Sequence, residues 1–301
     1  MATFARPTFS AKAYAAFRPT YPASLYRKLL DYHQGSEKTM LVDMGCGHGL
    51  VARALSPHFR HVLAIDPSAG MIEQAAGSSS NNTNLTFRQA RAEELSSLVR
   101  PGTVDVAVAA QAAHWFDQTV VWRELARAIR PGGTVAFWGY KDNVLVGFEQ
   151  ATAIMEEFVY GFGRVAPGIE GMGGYWEQPG RNILRDLLRS VVVPEEDWRD
   201  VVRFEHEPGE EGDGDQQGWL RREMKLGQVE AYTRTFSSYS GWKDAHPEIK
   251  SRAEGGSGDV LDVMWDRMVD AVPAWKALGE KWREAEVVND WGTFIIMARR
   301  R

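Results

Sequence analysis

Cysteine is nearly absent from the sequence: Cys46 stands alone among 301 residues. No intramolecular disulfide can form, and a reducing, cytoplasmic setting is the expectation. Long apolar runs are missing too. No segment reaches the roughly 18 residues read as a membrane span, and Met1 to Lys12 lacks the continuous apolar stretch of a secretory signal. Basic clusters are equally scarce. With 35 Lys and Arg against 40 Asp and Glu, the formal net charge is −5, which gives no footing for a nucleic-acid partner. Arg299-Arg300-Arg301 reads as a solvated strand end. There is no internal repeat, and neither a metal site nor a membrane partner is expected. Hydrophobic residues at 44% and charged residues at 25% are ordinary for a globular chain. The length suits one large domain, or a core with a sizeable insertion.

What is present is concentrated in one run, Leu41-Val42-Asp43-Met44-Gly45-Cys46-Gly47-His48-Gly49. Leu41 to Met44 reads as a short buried strand. The glycines let the backbone turn tightly and approach a ligand where a Cβ would obstruct. Asp66 follows Gly45 by 21 residues (66 − 45), after the strand-like His61 to Ile65. That spacing places a carboxylate beside a ribose diol. The third glycine comes one residue after the second, which departs from the G-x-G-x-x-G of dinucleotide sites, and no G-K-[ST] follows for a phosphate loop. An acidic residue ahead of the turn would repel a pyrophosphate. It suits a ligand carrying an ammonium and a sulfonium, so the run predicts a site for S-adenosylmethionine. Cys46, inside the turn, reads as a small residue under that ligand and not as a catalytic thiol.

Around this run, apolar strands and helical stretches alternate. Residues 10–33 predict helices broken at Arg18-Pro19, with Pro22 near a second helix start. Strands are predicted at 40–44, 61–65, 85–88, 104–109 and 134–138. Helices are predicted near 49–57, 68–76 and 118–129, with a polar connection at 77–84 and a turn at Pro131-Gly132-Gly133. Such alternation calls for a doubly wound, mostly parallel α/β sheet. Beyond Tyr140 the pattern turns helical, at 147–163, 180–190, 219–241 and 258–283. A strand is predicted at 199–207, a mobile acidic loop at 207–217, and a final buried strand at 291–299. The expected organisation is an N-terminal helical lid at 1–35 and a donor-binding core at 36–140. A substrate-side insertion at 141–285 and a last strand at 286–301 complete it.

The core motifs resemble the class I S-adenosylmethionine-dependent methyltransferases. Further segments resemble the fungal trans-aconitate and cantharidin methyltransferase-like proteins. These are Tyr14 with Arg18-Pro19-Thr20-Tyr21-Pro22, then Ala113-His114-Trp115-Phe116-Asp117, and Phe137-Trp138-Gly139-Tyr140. Gly174 to Arg181 and Tyr232 to Lys243 extend the likeness through the second half, although 207–217 matches nothing in that family and 244–260 is divergent. The resemblance implies a Rossmann-like seven-stranded sheet and a small-molecule methyltransferase, one that in its best-known member esterifies a carboxylate of a tricarboxylic acid, which makes a small trans-aconitate-like acid the expected substrate class.

By that correspondence Asp43, Gly45, Cys46 and Gly47 would line the methionine end of the donor, and Asp66 would take the ribose hydroxyls. Pro67 and Met71 would flank the adenine. Ala92 and Glu93 would meet its amino group, and Gln111 would face the sulfonium. A carboxylic acid acceptor is already an anion at neutral pH and needs cationic or hydrogen-bonding groups rather than a base. A phenol or alcohol needs a base. Under the first reading His114 hydrogen-bonds the acceptor, with Arg181 and Arg234 as bidentate clamps and Arg18 as a third cation. Under the second, His114 is the base. Tyr14, Tyr21, Trp115, Trp138, Tyr140, Tyr175 and Trp176 are the candidate acceptor walls. Carboxyl methylation leads, O-methylation of a specialised metabolite is the alternative, and a non-catalytic donor-binding protein comes third. A monomer and a homodimer fit the sequence equally.

Overall fold

A computed structural model describes residues 19–34, 38–77, 83–210 and 219–301. The helix expected at 10–17, with Tyr14 and Arg18, lies outside the described residues, as do residues 211–217 of the acidic loop. Five strands run parallel: β1 Met40–Met44, β2 His61–Asp66, β3 Leu85–Gln89, β4 Val104–Ala110 and β5 Ile129–Leu145. A small hairpin follows, β6 Arg164–Ala166 with β7 Ile169–Glu170. Then come β8 Trp198–His206, β9 Arg221–Lys225 and β10 Glu286–Arg300.

The main sheet has the order β3-β2-β1-β4-β5-β10-β8, with β10 antiparallel to both neighbours. The expected seven-strand path is present, and β9 adds an eighth strand beside the first residues of β10. Strand order reverses between β1 and β4, which opens a crevice at their carboxyl ends. One sheet face packs Val121, Trp122 and Leu125 of the helix Gln118–Ala128 against Val135 and Phe137. The other face packs Leu25 and Leu29 of the helix Ala23–His33 against Val106, Trp138 and Ile295. A third core joins the helices Glu149–Tyr160, Leu226–Thr233 and Val260–Ala271 around Trp265, Trp291 and Met264.

Three expectations are corrected here. The helix expected at 219–241 is a strand over Arg221–Lys225, followed by helices Leu226–Thr233 and Ser237–Ala245. Four of its five residues are charged, Arg221, Arg222, Glu223 and Lys225, a composition suited to a guarded sheet edge. The helix expected at 258–283 stops at Ala271 because Pro273 interrupts it, and restarts as Pro273–Lys276. The helix expected at 180–190 ends at Arg185. Leu187 and Leu188 then take left-handed φ of 52° and 58° to bury their side chains in the core.

Two irregularities shape what β5 presents. Its ladder to β4 jumps from Val104–Ile129 to Val106–Thr134, so the expected Pro131-Gly132-Gly133 turn survives as residues bulged out of a longer strand. Further on, the ladder to β10 runs Trp291–Asn143 and then Thr293–Tyr140, so β5 carries one residue more than β10 there. Gly292 makes room opposite, because a Cβ would stand 2.7 Å from the stem of Lys141. The extra residue breaks the two-residue alternation of side chains. Among the described residues, no helix is long and apolar enough to cross a membrane.

Phe294 on β10 is 1% exposed and packs in the core beside Gly139, whose Cβ would lie 2.8 Å from the ring. Phe294→Ala is predicted to cost about 3–5 kcal/mol in chemical denaturation. Phe162, at 80% exposure, serves as the control, and Phe162→Ala is predicted to stay within about 0.5 kcal/mol of the parent. Equal effects would mean that β10 is not the core strand described.

Candidate active site

β1 delivers its chain directly into the glycine turn. Gly45, Gly47 and Gly49 take φ of 68°, 53° and 86°, values that side-chain-bearing residues rarely adopt. A Cβ on Gly45 would lie 2.4 Å from Cβ of Ala112, so the turn packs tightly against the loop after β4. Around Gly47 the Cβ position is open, and this opening gives onto a cavity of about 450 Å³.

All ten residues expected at the donor site border this one cavity: Asp43, Gly45, Cys46, Gly47, Asp66, Pro67, Met71, Ala92, Glu93 and Gln111. Asp43 is 1% exposed, and neither carboxylate oxygen has a hydrogen-bond partner. Burial pushes its pKa up to about 7; the Ala52 N–H, near the carboxylate but outside hydrogen-bond geometry, offsets part of the rise, and Asp66 adds to it. A buried carboxylate without a partner is costly unless a ligand answers it. Asp66 accepts the Gly47 N–H at 2.9 Å on one oxygen and the Ser68 N–H at 2.9 Å on the other. Each oxygen keeps a second lone pair, enough to receive a diol.

Two donor-site side chains are engaged within the protein. The Gln111 amide donates to the Tyr140 carbonyl at 2.7 Å and accepts the Tyr140 N–H at 2.8 Å. Gln111 takes a left-handed φ of 55° to make this clasp. The Glu93 carboxylate is likewise engaged, accepting the Asp117 N–H at 2.8 Å and pairing with Arg91 at 3.3 Å.

A smaller cavity of about 50 Å³ adjoins the first, and Gln111, Trp115 and Tyr140 border both. His114, Trp176 and Arg181 line it, together with Lys141, Asp142 and Asn143 from the bulged end of β5. Gly180 lets the helix Gly180–Arg185 close on this loop, since a Cβ would lie 2.7 Å from the Trp115 ring. Arg181 reaches Asp142 and the Tyr160 hydroxyl through Nη2 and lies over the Trp176 ring at 4.1 Å, while its Nε has no partner. His114 is buried and its Nδ1 is unpartnered. Burial and the nearby Arg181 charge push its pKa down to about 3, so the imidazole is neutral at any ordinary pH.

Other expected acceptor residues fall elsewhere. Arg234 borders neither cavity; it is held at 2.7 Å by Asp262 and at 3.4 Å by Asp259, with Glu230 at 3.3 Å. Its charge is spent inside the helical insertion. Trp138 is buried in the sheet core, edge-on to Tyr21 at 5.9 Å, because it pairs within the ladder opposite Ala110. Tyr175 points away and donates to Glu170 at 3.0 Å. Tyr21 borders the donor cavity, not the acceptor one. Lys141, Asp142, Asn143 and Tyr160 were not anticipated. The register shift that exposes the first three depends on β10, far along the chain.

A family profile described as a methyltransferase domain matches residues 42–137, the span from β1 into β5. Over 99% of this chain and 98% of the relative, the sequence is 26% identical to CRG1 of Saccharomyces cerevisiae, assigned as an S-adenosylmethionine-dependent methyltransferase. The chain is an S-adenosylmethionine-dependent methyltransferase with the class I fold. The methyltransferase cfoB of Aspergillus candidus is 31% identical over 64% of this methyltransferase and 62% of its own length. A solved structure from Anaeromyxobacter dehalogenans, assigned as a type II methyltransferase, shares the fold at a TM-score of 0.65 and 24% identity. It covers 94% of this chain and 98% of its own.

For this methyltransferase the rise at Asp43 carries a sign. A carboxyl whose folded pKa exceeds its unfolded value favours folding fully below pH about 4, and that contribution is lost as pH rises to about 7. Asp43→Asn is therefore predicted to raise the melting temperature of the ligand-free protein at pH 8. Titration calorimetry should show S-adenosylmethionine binding weakened roughly tenfold or more. The parent's affinity should strengthen from pH 6 to pH 8, a trend the variant loses. A variant that binds the donor normally would remove Asp43 from the site.

Proposed function

We propose that this methyltransferase moves the donor methyl onto a carboxylate oxygen of a small organic acid, forming a methyl ester. The observation that carries this reading is a pair of buried, unpartnered polar atoms on two residues that line the acceptor cavity, Arg181 Nε and His114 Nδ1. Buried polar atoms are normally satisfied, so two on residues around one small cavity support a ligand's oxygens being received there.

Arg181 and Arg185 share the Asp142 carboxylate and Arg185 also pairs with Glu156, so Arg181 is the cation of this cluster with an N–H left for an acceptor. Arg181 gains further proton affinity from Asp142 and Tyr160 against the effect of burial, and stays a cation.

S-adenosylmethionine supplies an electrophilic methyl on a sulfonium, and its departure from sulfur leaves a neutral thioether. The chain's part is then to hold an acceptor that is already an anion. Arg181 would orient the acid through Nε, and His114 would supply a neutral hydrogen-bonding nitrogen. Trp115 and Tyr140 would keep water from the shared boundary of the two cavities. No proton has to move, since the carboxylate oxygen forms the new bond to carbon as the sulfur–carbon bond breaks. An imidazole with a pKa of about 3 is a poor base for a phenol of pKa about 10, which weighs against the O-methylation alternative.

At saturating donor, turnover of a carboxylic acid is predicted to be flat from pH 6.5 to pH 9. Arg181→Lys keeps the charge and loses Nε, and should raise KM for the acid roughly tenfold or more with donor affinity unchanged. Turnover that climbs with pH, or an unaltered KM in the variant, would contradict ester formation at this site.

A further inference from the structure

A third cavity of about 190 Å³ adjoins the acceptor cavity, and Lys141, Asp142, Asn143 and Phe236 border both. It lies between the outer end of β5 and the helix Glu149–Tyr160, and none of the expected site residues reaches it. The acceptor cavity alone, at about 50 Å³, is far below the roughly 300 Å³ at which ordinary ligand pockets begin. It can hold an acceptor's reacting carboxylate but not its body. The body therefore needs a neighbouring space, and the donor cavity is committed to the donor.

The walls of this third cavity define what it accepts. Its charged residues are already matched: Lys141 pairs with Glu207, while Arg185 pairs with Asp142 at 2.8 Å and Glu156 at 3.0 Å. The Asn143 amide donates to Asn289 at 2.7 Å, and the Thr152 hydroxyl accepts the Leu145 N–H at 3.0 Å. The remaining surface is apolar, from Val144, Met155, Val159, Pro208 and Phe236. A second carboxylate placed here would meet no unmatched cation and would pay desolvation for nothing.

We propose that the acceptor is a monocarboxylic acid with an uncharged, largely apolar body, its carboxylate at Arg181 and its body in this third cavity. The proposal rests on the carboxyl-methylation reading and narrows it away from di- and tricarboxylic acids. Val144 is the residue to vary, because it is half-buried and borders the third cavity without bordering the acceptor cavity.

Three acids of equal carbon number separate the outcomes: hexanoate, adipate and propane-1,2,3-tricarboxylate, each assayed for base-labile methyl transfer. Hexanoate should exceed both others at least tenfold in kcat/KM, and longer or aryl-bearing monoacids should do better still. Val144→Phe should remove the advantage of hexanoate over propionate, with S-adenosylhomocysteine binding serving as the check on folding. Val144→Ala, which only enlarges the cavity, should shift the optimum to a longer body. Adipate or the tricarboxylate as the best acceptor would overturn this proposal and leave carboxyl methylation standing. No ester from any acid, with donor binding intact, would overturn both.

Discussion

β5 and β10 remain paired from Thr134 with Arg299 to Leu145 with Asn289, well past the point where β4 ends at Ala110. That overhang carries the backbone out of the parallel sheet and into the helical insertion. The donor half depends on the inner part of the pairing, through Gly139 and the clasp between Gln111 and Tyr140. The acceptor half depends on the outer part, where the register shift turns Lys141, Asp142 and Asn143 toward the cavities. Opposite them, Trp291 on β10 joins the core of the insertion and donates to the Tyr232 hydroxyl at 3.0 Å. One strand pair thus fixes the distance between the place where a methyl arrives and the place where it is received. Positioning of this kind is the main rate contribution open to a transfer that needs no base.

The two cavities handle buried charge in opposite ways. Asp43 is left without a partner, so the ligand-free fold carries a cost of order a few kcal/mol above neutral pH. A cationic donor relieves that cost, which converts fold strain into affinity. Arg181 is matched to Asp142 and Tyr160 before any acceptor arrives. In the proposed reaction its role would be orientation by one remaining N–H. Such a division suits a donor that carries a sulfonium and an ammonium and, under the proposed reading, an acceptor that is a small anion.

The donor site was legible in the sequence because its parts are local. Asp43, the glycines and Asp66 lie within one strand-turn-helix-strand unit, and their spacing reflects how far one such unit reaches. Even there, the engagement of Gln111 with Tyr140 and of Glu93 with Asp117 was hidden, since each joins separate loops. The acceptor side was far less legible. Arg181 and His114 could be named from the resemblance, but Arg234 looked equally suited, and only packing shows it bound to Asp259 and Asp262. The fold erred where local pattern and pairing disagreed. Residues 221–225 follow no apolar alternation, and their strand state comes from β10, more than sixty residues later.

The most direct test is to identify the carbon next to the transferred methyl. With ¹³C-methyl donor and an acid acceptor, long-range proton–carbon correlation spectra of the product report the atom beyond the new methyl–oxygen bond. The account predicts a correlation from the methyl protons to a carboxyl carbon, in a product that base hydrolyses. A correlation to an aromatic or alcohol carbon, in a base-stable product, would contradict it and return His114 to consideration as a base.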